Sequence, residues 1–229
     1  MSTLATCLAH ELERVAERKR WLIEELWADE AAGILGGEPK CCKSILALEL
    51  AVAVASGTPC LRRFPTRRQG PVLVFAAEDA LHVVRERLEG ICAAGGVAFD
   101  SLPVHVITVP TLRIDVDDDR KRLRETVAAI RPVLLVLDPF VRLHRADENV
   151  ASDVAPLLAF LRELQRKLHT AVLLVHHSRK GGHARAGQAL RGSSELHAWG
   201  DSNLYLRRVG DRIHLSVEHR AAPSIEPLA

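Results

Sequence analysis

Residues 36–44 read GGEPKCCKS, and their types and spacing suit the holding of phosphate. In the pattern G-x-x-x-x-G-K-[ST], Gly37, Lys43 and Ser44 match, while Cys42 stands where the second glycine belongs. Between them lie Glu38, Pro39, Lys40 and Cys41, and Ile45 opens the apolar stretch that follows. Successive backbone N–H groups at a strand-to-helix junction cradle phosphate oxygens, and the helix dipole adds to the attraction. Lys43 would bring a mobile positive charge to the terminal phosphates, and the Ser44 hydroxyl could ligate a divalent cation. Cys42 carries a Cβ where only glycine reaches positive φ without strain, at an expected cost of roughly 1–3 kcal/mol. Its thiol, beside a lysine and a helix N-terminus, is also a candidate for redox control.

Three further positions carry chemistry. LLVLDPF places Asp138 at the end of an apolar strand, where a carboxylate can hold a cation opposite Ser44. VFAAED places Glu78 at a second strand end, as a group that could orient or deprotonate an attacking water. Asp79 beside it reads as a cap for the next helix. His176 and His177 close a third strand. Adjacent strand residues point to opposite faces, so the two should not share a metal, and one of them suits the sensing of a terminal phosphate.

The elements that must position these groups follow from hydrophobic periodicity. Residues 4–27 have apolar residues at mixed helical spacing and predict an N-terminal helical extension over 1–28. AAGIL is a short strand leading into the loop, and KSILALELAVAVASG is a helix ending at Gly57. Strands PVLVFAAED, LPVHVITV, RPVLLVLDPF and TAVLLVHHS alternate with helical stretches starting near residues 79, 115 and 152, the last with a Ser/Asp cap. DSNLYLRRVGDRIHLSVEHR predicts a hairpin turning at Gly-Asp. Repeated strand–helix units predict one α/β domain with a mostly parallel sheet: a core over 29–180, then a basic loop and hairpin over 181–229.

With these residues assembled, the chain resembles RecA-like P-loop ATPases, and among them the RepA-type hexameric replicative helicases of broad-host-range plasmids. The likeness rests on LLVLDPFVRLHRADENVAS, VLLVHHSRKGG, QALRGSSELH, GPVLVFAAEDALHVVRERL and the loop with its helix, across roughly residues 30–200. The resemblance implies ATP and Mg2+ as ligands, with Lys43 and Ser44 as the loop lysine and the magnesium-binding hydroxyl. It implies Glu78 as catalytic glutamate, Asp138 as the magnesium-associated aspartate and His177 as the phosphate-sensing histidine. It also implies a homo-oligomeric ring, a hexamer in the family, whose subunits donate an arginine to their neighbour's site. The matching region here offers WGDSN with Asp201, so Arg191, Arg207 and Arg208 are candidates only.

Lysine and arginine number 31 against 29 acidic residues, so no global field draws the chain to polyanions. Local basic residues could do so: Arg179, Lys180 and Arg185 among glycines, and Arg142 in VRLHR, are candidate contacts to single-stranded DNA. The five cysteines, at 7, 41, 42, 60 and 92, include no C-x-x-C pair. The longest apolar run is interrupted by Glu49 and too short to cross a bilayer, which makes the cytoplasm the expected location. Two functions of different class are compatible with these residues: an oligomeric ATPase motor on DNA, and a RecA-like nucleotide-binding module with slow or no turnover. A small-molecule kinase ranks behind both, since no acceptor pocket or lid is evident.

Overall fold

Along the central strands, odd and even side chains enter two different helix-covered layers. The computed structural model describes residues 4–12, 16, 20–177 and 194–228. Two short strands, β1 (Trp21–Ile23) and β2 (Trp27–Ala28), form an antiparallel ribbon. Then come β3 (Ala32–Gly37), α1 (Lys43–Ser56), β4 (Val72–Ala76), α2 (Leu81–Gly95), β5 (Val104–Val106) and α3 (Asp117–Ile130). The chain continues through β6 (Leu134–Asp138), α4 (Ala151–Leu168), β7 (Ala171–His177), α5 (Ser194–Trp199), β8 (Ser202–Val209) and β9 (Arg212–His219). Among the described residues, seven strands make one sheet in the order β5-β4-β6-β7-β3-β8-β9, parallel except for the β8–β9 hairpin.

Both faces of this sheet are covered, which is why its strands read as continuous apolar runs. Val72, Val74, Leu134, Val136, Leu173 and Val175 pack in the layer built around α1 and α2. Their neighbours Leu73, Phe75, Leu135, Leu137, Val172 and Leu174 pack in the layer that holds Leu157, Leu161 and Leu164 of α4. Helix α1 is apolar on nearly all sides and buried accordingly. It ends as expected at Gly57, whose φ of 76° accommodates the left-handed cap.

The N-terminal stretch departs from the helical expectation. Residues 9–11 form a single 3-10 turn, and residues 21–28 form the ribbon, with Glu25 at φ 61° in its turn. Leu22, Ile23, Leu26 and Trp27 are fully buried. Positions 22, 23, 26 and 27 would also share one helix face, so periodicity alone does not separate the two structures. Burial against the sheet decides it: Ala28 N–H donates to the Ser202 hydroxyl, and Ile23 bridges to Thr66. Two capping expectations also change. α2 is capped by Ala80 rather than Asp79, and α4 by Val150, without a side-chain cap bond. Among the described residues, no helix is long and apolar enough to cross a membrane.

Candidate functional site

Parallel strands end at a common edge, and here that edge gathers the residues singled out by type. Gly37 ends β3, Asp138 ends β6 and His177 ends β7, while Glu78 lies two residues past the end of β4. Gly37 pairs with His177, and Ala76 pairs with Asp138. The pairing extends one step further, as Ala77 N–H donates to the Asp138 carbonyl at 2.7 Å.

The loop from Glu38 to Cys42 turns the chain from β3 into α1. Gly37 is needed for close approach: a Cβ there would stand 2.4 Å from the Leu206 carbonyl oxygen of β8. Lys40 and Cys42 both adopt left-handed backbone, each with φ 64°, which favours glycine. The cost expected at Cys42 thus applies at two residues of the loop, and nothing in the sequence marked Lys40 for it. Cys42 is the N-cap of α1 and exposed, and Ile45 in the first turn is also exposed. Cys41 is buried, its thiol within 2.7 Å of the Glu38 carbonyl, and burial pushes that thiol's pKa up.

Lys43 is buried, and burial lowers its pKa. Its ammonium donates to the Glu38 carbonyl at 2.7 Å and lies 3.8 Å from the Cys41 sulfur. Ser44 hydrogen-bonds the Asp138 carboxyl. Burial pushes that carboxyl up to about 6, and the Asp79 and Glu78 carboxylates push the same way, against the Ser44 bond and the Lys43 charge. A buried carboxyl that resists ionisation, bonded to a hydroxyl and near a lysine, fits a divalent cation: Ser44 and Asp138 would hold Mg2+, whose charge would offset the burial cost.

Alternation separates the two histidines as expected. His177 has the parity of Leu173 and Val175 and so belongs to the α1 face, the face of Lys43 and Asp138. His176 is buried in the opposite layer, its ring 6.2 Å from that of Phe140. There a cluster appears that the sequence did not announce. Oε1 of Glu148 lies 3.5 Å from Nε2 of His144 and 3.9 Å from Nδ1 of His176. Its only sequence signal is the His144/Glu148 spacing of four residues.

Glu78 is exposed and accepts a hydrogen bond from Nε of Arg142 at 2.8 Å. Asp79 pairs with Arg87 instead of capping a helix. Among the arginine candidates, Arg208 directs Nη2 at the Lys40 carbonyl at 3.4 Å, so it touches the loop of its own chain. Arg207 precedes it on the exposed end of β8. Arg179, Lys180, Arg185 and Arg191 lie outside the described residues. Asp201 is a structural anchor. It pairs with Arg162 and Arg220 and accepts the Ala32 N–H, fixing the start of β3 against α4 and β9. An apolar groove of about 630 Å³ leads away from Cys42 along the outer face of α1, walled by Leu61, Ile91, Ile213 and Leu228.

Comparison with solved structures gives the same fold. The ATPase domain of a helicase superimposes with a TM-score of 0.61 at 12% identity, covering 85% of this chain and 79% of that one. The RadB recombinase superimposes with a TM-score of 0.63 at 16% identity, covering 87% of this chain and 86% of that one. The architecture is thus that of RecA-like P-loop ATPases, with a C-terminal hairpin added to a mostly parallel sheet. A family model, AAA_25, described as AAA domain, matches residues 2–183, and the chain belongs to that family.

Proposed function

We propose that this chain binds ATP with Mg2+ and hydrolyses it as a ring-forming motor on single-stranded DNA, a helicase or a replication or recombination accessory, in the cytoplasm. In this reading residues 1–229 act as one ATPase domain. The observation that carries it is the grouping of Ser44, Asp138 and Lys43 at the sheet edge where Glu78 and His177 also lie. The loop amides and Lys43 bind phosphate, Ser44 and Asp138 hold the metal, and Glu78 takes the proton of the attacking water. When bound, Mg2+ supplies charge neutralisation between the phosphates. His177 reads the terminal phosphate from the strand beside the loop. The kinship in fold with a helicase ATPase domain and a recombinase supports DNA as the track. Arg207, at the exposed end of β8, is the better candidate for a neighbour's site, because Arg208 already contacts its own loop.

The left-handed backbone at Lys40 and Cys42 favours the second reading, a nucleotide-binding module with little turnover. Steady-state ATP hydrolysis with and without single-stranded DNA separates the two. Turnover that DNA stimulates and Glu78→Gln abolishes establishes the motor. Nucleotide binding without turnover, restored by Cys42→Gly, establishes the module.

A further inference from the structure

We propose that Arg142 holds Glu78 away from the reacting water in the DNA-free chain, and that a single strand of DNA, by taking the guanidinium onto its phosphates, releases the carboxylate. The inference rests on the ATPase reading of Glu78. Arg142 ends the 3-10 turn Phe140–Arg142 that directly follows Asp138-Pro139, and Glu78 follows β4, the neighbour of β6. Their side chains meet across that junction at 2.8 Å, Nε to Oε1. The adjacent Asp79 is engaged by Arg87, so the charge facing Glu78 here is Arg142. Glu78 nonetheless lies within electrostatic range of Asp138, close to where phosphate and metal would sit.

Exposure makes the pair exchangeable. The Arg142 side chain is 60% exposed and that of Glu78 44%. Ion pairs this open to water are worth roughly 0–1 kcal/mol, so a competing anion displaces them readily. A guanidinium matches phosphate oxygens with a two-pronged fork, and a strand presents many such groups in a row. Bound to phosphate, Arg142 no longer masks Glu78, whose oxygen then accepts the proton of water. One side chain thereby reports strand occupancy to the hydrolytic site, with no domain motion required.

The test compares ATP hydrolysis by the wild type, Arg142→Gln and Arg142→Lys, each with and without single-stranded DNA, alongside binding of a fluorescent ATP analogue. Removing a bias of that size should raise the DNA-free rate of Arg142→Gln about two- to fivefold, and bring the ratio of stimulated to unstimulated rate toward one. Arg142→Lys keeps the charge without the fork and should fall between. Glu78→Gln should cancel the gain in the double variant. A DNA-free rate that falls in Arg142→Gln would mean that Arg142 orients Glu78 productively, and an unchanged rate that the pair is incidental; either overturns the proposal while leaving the ATPase reading intact. Wild type that binds the analogue but never turns over ATP removes that reading, and this inference with it.

Discussion

The ammonium of Lys43 donates to the carbonyl oxygen of Glu38, 2.7 Å away, so the loop's own backbone occupies the charge that phosphate would claim. Binding therefore exchanges one acceptor for another, and the buried lysine gains a true counter-charge. Lys43→Met should weaken Mg–ATP binding roughly 10- to 100-fold, the worth of one charged hydrogen bond at about 1.5–3 kcal/mol. The stability of the nucleotide-free chain should change little, since the lost bond and the relieved burial of charge oppose each other. Titration with a fluorescent ATP analogue and urea unfolding measure the two. A large stability loss without an affinity loss would make Lys43 a structural residue.

Asp138 gives a pH signature in the absence of metal and nucleotide. Its folded pKa, about 6, lies above the ordinary value of 3.8, so folding takes up a proton between those limits. This contribution to stability is complete below the lower value and is lost as pH rises through the upper one. Asp138→Asn removes the ionisable group and should be more stable than the parent at pH 8. Two pH units at about 1.4 kcal/mol each set a ceiling of ~3 kcal/mol, and the gap should close near pH 4. Unfolding midpoints of both proteins across that range decide it. A gap independent of pH would assign the difference to packing.

Cys42 holds a left-handed backbone that glycine would adopt freely. An L-residue in that region costs about 1–2 kcal/mol, while glycine adds roughly 0.5–1 kcal/mol of chain entropy to the unfolded state. Cys42→Gly should therefore change stability by less than ~1 kcal/mol, in the stabilising direction. Cys42→Val, with a branched Cβ, should destabilise measurably. The thiol is exposed along with Cys7, whereas Cys41, Cys60 and Cys92 are buried. In a Cys7→Ser background, alkylation should modify Cys42 first, and Mg–ATP should slow it. Equal rates with and without nucleotide would place the phosphates away from this residue and end the case for redox control.

Much of the architecture was legible because its physical causes are local. Runs such as LLVLD and AVLLVHH are apolar on both faces, which only a doubly covered sheet satisfies, and Gly57 stops α1 by the same chemistry in any context. Asp138, Glu78, His177 and the loop could be picked out because each sits at the end of such a run. The histidine pair could even be divided, since alternation along a strand is a geometric necessity.

The succession of strands and helices, and the chemical identity of the groups at the strand ends, are therefore written in the residues themselves, because periodicity and capping act within a few positions. Other features exist only in the folded chain. Residues 21–28 form a ribbon because Trp27 and its apolar neighbours find a place against the sheet, an energy no local pattern encodes. Asp201 became the anchor of β3 through Arg162, 39 positions away in the chain. Arg142 met Glu78 across 64 positions, and Glu148 came between His144 and His176, through the order in which parallel strands lie side by side. That order is set by packing both faces of the whole sheet at once, and it alone determines which distant charges become neighbours.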